Sequence, residues 1–84
     1  MKQVILYITE TCSRCHSLIS WLEAQGIPFE TKNLQEAVVI TDLRMEGCFE
    51  MSAPILQIGS IYHPAGWLFV DGRLQEEKIR EAMQ

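Results

Sequence analysis

Cysteine is scarce and odd in number: the chain has three, Cys12, Cys15 and Cys48, so they cannot make the even set of bridges that staples a small secreted fold. No apolar run approaches the ~20 residues that a membrane helix needs. The opening Met1-Lys2-Gln3-Val4-Ile5-Leu6-Tyr7-Ile8 has one cation and a short apolar stretch, without the length or cleavage site of a signal peptide. Basic residues are also short: seven Lys and Arg against eleven Asp and Glu leave a net charge of -4. With no basic face and no alternation of aromatic and basic residues, nucleic acid is excluded as an expected partner. A membrane is excluded in the same way, and a reducing cytoplasm is the expected compartment. There a pair of nearby cysteines reads as catalytic or metal-binding rather than as a staple.

What remains is ample for a core. At 84 residues the chain is long enough for one domain, 1–84, and too short for two, and its 48% hydrophobic content lies far from the composition of disorder. Val4 to Ile8 is a continuous branched run, expected of a central strand buried on both faces. Leu18, Trp21 and Leu22 then recur at helical spacing, and Gly26 with Pro28 beyond it stops a helix over about residues 12–25. Residues 27–34 alternate apolar and polar as a second, more exposed strand. Val39, Leu43 and Met45, with Gly47 as a stop, predict a helix over 35–46, with a break near Thr41-Asp42 as an option. Pro54 to Ile58 reads as a third strand and Trp67 to Val70 as a fourth, with an irregular loop or extended hairpin over Ile61–Gly66 between them. Leu74 to Met83 closes the chain as a helix with one apolar side. The expected order is βαβαββα: an α/β fold in which a four-stranded mixed sheet is flanked by three helices.

The chemistry concentrates in Thr11-Cys12-Ser13-Arg14-Cys15-His16, at the junction of the first strand and the first helix. Residues three apart share a helix face, which brings the two sulfurs within disulfide reach. The unpaired N–H groups and positive dipole end of the first turn favour a thiolate at Cys12, making it the nucleophile. Cys15, one turn deeper, would resolve the mixed disulfide that Cys12 forms. Arg14 adds a cation and Glu10 an opposing anion. Two rivals use the same string. A zinc or metal-delivery site would need Cys48, His16 or His63 beside the pair, at no recognisable spacing. Covalent haem on Cys12, Cys15 and His16 would need export. A third reading, an interaction domain with unused thiols, would show no turnover. No metal site and no tightly bound cofactor is expected.

The Cys-x-x-Cys after the first strand, the βαβαββα order and Ser52-Ala53-Pro54 leading into the third strand together resemble the glutaredoxin family within the thioredoxin fold, over nearly the whole chain. The resemblance implies a cis Pro54 beside the cysteines and a backbone at Ala53 that pairs with a thiol substrate. It implies a small dithiol oxidoreductase acting on protein or low-molecular-weight disulfides, monomeric, with glutathione or a thioredoxin reductase resetting the pair. The departures from the glutathione-using members are Ser13-Arg14 in place of Pro-Tyr, and Val70-Asp71-Gly72-Arg73 in place of a double-glycine segment. Asp71 is a candidate for the glutathione amino group, though Asp-Gly is equally a turn signal. Thr11, Ser13, Arg14, Ala53, Pro54 and Asp71 are therefore the candidate substrate contacts. Trp21 and Trp67 are expected toward the core, Cys48 as an uninvolved loop thiol, and His63 as exposed.

Overall fold

The computed structural model describes residues 2–84. The predicted central strand is β1, Val4–Ile8, and its alternation divides the core in two. Val4 and Leu6 pack on one face with Leu18, Leu22, Leu56, Ile58 and Ile79. Ile5 and Tyr7 pack on the other with Leu34, Val39, Leu43, Cys48 and Ile55. Successive side chains on opposite faces of a doubly covered strand require such an unbroken apolar run.

Helix α1, Ser13–Ala24, follows directly and supplies Leu18 and Leu22 to the first cluster. Strand β2, Glu30–Asn33, then returns parallel to β1 along its exposed edge. Helix α2, Ala37–Met45, runs without a break and lays Val39 and Leu43 on the second cluster. Both helices end alike. Gly26 donates to the carbonyl of Glu23 and Ile27 to that of Leu22; Gly47 donates to Arg44 and Cys48 to Leu43. Each glycine has positive φ, 68° and 84°, which closes a Schellman motif. In that motif the residue after the glycine packs back on the helix. Ile27 thereby joins the cluster of Leu22, and Cys48 that of Leu43.

Strand β3, Ile55–Ile58, pairs antiparallel with β1, and β4, Ile61–His63, pairs antiparallel with β3, giving the sheet order β2-β1-β3-β4. The sheet is four-stranded and mixed as expected, but its fourth strand lies at Ile61–His63 and not at Trp67–Val70. Gly59-Ser60 is a two-residue hairpin turn, with Gly59 at φ 62°. Pro64 then caps a single helical turn, α3, Ala65–Leu68, by accepting from the N–H groups of Trp67 and Leu68. Phe69–Val70 (β5) and Arg73–Leu74 (β6) form a separate small ribbon. Helix α4, Glu76–Met83, buries Ile79 against the face that carries α1.

Candidate functional site

Strand β1 ends at Ile8, and Thr9 to Thr11 carry the chain over to α1, so the cysteines fall at the helix's first turn. Cys12 is the N-cap residue, with extended backbone at φ -140° and ψ 100°, and its sulfur accepts the Cys15 N–H at 3.1 Å. That position is normally filled by a side-chain oxygen; here sulfur satisfies one of the otherwise unpaired donors. No acidic residue lies in the first turn of α1, so nothing in that turn opposes negative charge on the sulfur. Cys12 and Cys15 are joined in a disulfide, with their α-carbons 5.2 Å apart. Their exposure differs: Cys12 is half-buried, while Cys15 is 2% exposed and packs with Ala53 and Ile55.

Facing them is the segment leading into β3. The Ala53–Pro54 peptide bond is cis, as the resemblance implied, and both residues are buried. Arg14 spans the gap, its Nη2 donating to the carbonyl of Ala53 at 3.3 Å. Between these walls runs an open groove whose lining includes Thr11, Cys12, Ser13, Arg14 and Ala53. Five of the candidate residues are thus brought together in one place, with Pro54 directly behind Ala53. Thr9, Met51 and Ser52 complete the lining. The resemblance had drawn in Ser52, whereas Thr9 and Met51 had no signal in their own spacing.

Asp71 does not line this groove. It is exposed, with φ 52°, and followed by Gly72 at 75°; two positive-φ residues between paired strands make the type I′ turn of the β5–β6 ribbon. The turn reading is the one the structure displays. His63 departs from its expected exposure: it is half-buried and stacked on Trp67 with ring centroids 4.1 Å apart. Burial lowers its pKa below the ordinary histidine value. Trp21 and Trp67 are half-buried against the first cluster, with Arg80 over Trp21 and Lys78 over Trp67. Cys48 is 8% exposed within the second cluster. Among the described residues no three His, Cys, Asp or Glu side chains are gathered to hold a metal ion.

No protein-family model matches the sequence, and no curated protein matches it. The structure is similar over 100% of this chain to the crystal structure of a glutaredoxin, grx-1, from Archaeoglobus fulgidus, of which it covers 88%, with a TM-score of 0.68 and 24% identity. The chain therefore shares the fold of that glutaredoxin. A Cys-x-x-Cys pair opens its first helix.

Proposed function

We propose that the chain is a dithiol–disulfide oxidoreductase. The observation that carries this reading is the Cys12–Cys15 pair at the start of α1, facing Ala53 and cis Pro54 across an open groove. In the reduced protein the Cys12 thiolate attacks one sulfur of a substrate disulfide. The substrate S–S bond breaks, a mixed disulfide forms on Cys12, and one substrate thiolate leaves. Cys15 then loses its proton and attacks the Cys12 sulfur, expelling the second substrate thiolate and leaving the intramolecular disulfide. Two electrons pass from the dithiol to the substrate. The asymmetry in burial supports the division of labour, since the attacking sulfur must meet solvent-borne substrate and the resolving one need only reach its neighbour.

The oxidised pair is reset by glutathione, as a co-substrate, or by a thioredoxin reductase. The substrates are disulfide-containing proteins or small disulfides. Ser13-Arg14 between the cysteines and the Asp71-Gly72 turn are departures from the glutathione-using pattern and favour the reductase. A cytoplasmic setting suits a pair that must cycle through the dithiol. Among the described residues no helix is long and apolar enough to cross a membrane.

The test is a disulfide-reduction assay run in parallel with glutathione plus glutathione reductase and with thioredoxin reductase. Turnover with one donor, absent in Cys12→Ser, is the expected result. Full activity in Cys12→Ser, or turnover with neither donor, would sink the assignment.

A further inference from the structure

The groove beside Cys12 is lined by hydroxyls, and Arg14 is its charged side chain. A second arginine is linked to it through Met51: Arg44, which lines the neighbouring small cavity, has Nη2 3.0 Å from the sulfur of Met51, and Met51 itself lines the groove. Of the four arginines, Arg14, Arg44, Arg73 and Arg80, only Arg80 is in an ion pair among the described residues, and Arg14 and Arg44 are the two near the groove. Among the described residues the ion pairs are those of Arg80 with Glu76 and Glu77, on the exposed side of α4. Glu50 shares a small cavity with Arg44 and Met51 but forms no ion pair with Arg44. Arg14 and Arg44 instead rest on a neutral carbonyl and a thioether, acceptors much weaker than a carboxylate.

The Arg14 contact bears on substrate binding as well. It occupies the Ala53 carbonyl, a backbone group that an extended substrate segment would use for strand-like pairing. The carbonyl oxygen has two lone pairs, so a substrate N–H that approaches along the lone pair Arg14 uses displaces the guanidinium, which then needs a new acceptor. A carboxylate close to the substrate disulfide supplies one. Resting on the oxidoreductase reading above, we infer that Arg14 and Arg44 set substrate specificity: the groove selects disulfides in acidic peptide segments, with Arg14 releasing Ala53 as it takes a substrate carboxylate. Both are specificity-determining residues, and electron transfer stays with Cys12 and Cys15.

The test is single-turnover reduction at low ionic strength. The protein is reduced with dithiothreitol, freed of it, and mixed with symmetric disulfide dimers of three blocked tripeptides, Glu-Cys-Glu, Gln-Cys-Gln and Lys-Cys-Lys. The expected rate order is acidic over neutral over basic, with about threefold to fivefold between neighbours, the size of a solvent-accessible charge contact. Arg14→Gln and Arg44→Gln should each shrink the acidic-to-neutral ratio, the double variant should bring it to about one, and Arg14→Lys should restore part of it. A general effect on Cys12 reactivity would change all three rates together and leave the ratios intact. Equal rates for the three dimers in the native protein, or ratios unchanged in the double variant, would overturn the inference while leaving the oxidoreductase reading standing. Failure to reduce any dimer would instead remove the reading on which it rests. Glutathione disulfide serves as a fourth substrate: reduction of it with the same dependence on both arginines would overturn the commitment to a peptide segment.

Discussion

Two cysteines lie at helix ends in this protein, and the ends are opposite. Cys12 caps the start of α1 and Cys48 follows the glycine that terminates α2. At the first, the Cys15 N–H donates to the sulfur, and the capping conformation holds it at the wall of an open groove. At the second, the Schellman motif folds the residue after Gly47 back onto Leu43, into an apolar cluster where it is 8% exposed. On the oxidoreductase reading proposed above, the same side chain is a reactive group in one place and a small hydrophobe in the other. Helix-end geometry decides between the two roles, through which backbone groups face the sulfur and whether water reaches it.

The contrast is open to direct attack. In the reduced protein, alkylation by iodoacetamide should modify Cys12 faster than Cys48 by on the order of a hundredfold, as expected if Cys48 reacts only through a local opening costing roughly 3 kcal/mol. Peptide mapping by mass spectrometry gives both rates, and comparable labelling would erase the distinction. Cys48→Ser buries a hydroxyl without a partner and should lower the unfolding free energy by about 1–3 kcal/mol in denaturant titrations, with reductase activity per folded molecule unchanged. Gly47→Ala forces a left-handed φ on a residue with a β-carbon. Nothing lies within 4 Å of the added methyl, so the cost, about 1–2 kcal/mol, is conformational alone.

A pH-dependent effect sharpens the description of the cluster around Cys48. Tyr7 shares that cluster, donates to Gln57 at 2.7 Å, and has its pKa pushed up from 10.0 to about 12, chiefly by burial, with the neighbouring Tyr62, Cys48 and Asp42 adding to it. The folded state therefore keeps its proton where the unfolded chain gives it up. This contribution to stability is complete below pH 10 and is lost as pH rises toward 12. Denaturation midpoints measured across that range should fall more steeply for the native protein than for Tyr7→Phe; parallel slopes would contradict the burial assigned to Tyr7.

The parts of this fold legible in the sequence are those where one force dominates. The unbroken run Val4–Ile8 marks a strand covered on both faces, and Leu18, Trp21, Leu22 and Gly26 mark a helix and its stop. The fourth strand was obscured by competing signals. Trp67–Val70 carries more β-forming residues than Ile61–His63, yet Pro64 accepts the N–H groups of Trp67 and Leu68 and winds those two residues into a turn, leaving Phe69–Val70 to the separate ribbon. The overlooked signal was Gly59-Ser60, a hairpin dipeptide directly after a strand. At the site, the spacing of Cys12 and Cys15 is enough to place both sulfurs. The hydrogen bond from Arg14 to Ala53, residues 39 apart, depends on how α1 and the segment before β3 meet, which no local pattern encodes.

The division of roles between the cysteines is tested most directly by trapping. Cys15→Ser, reduced and mixed with a disulfide-bonded peptide dimer, should accumulate one covalent peptide adduct, which peptide mapping places on Cys12, because the group that would resolve it is gone. An adduct on Cys48, or none at all, would contradict the account.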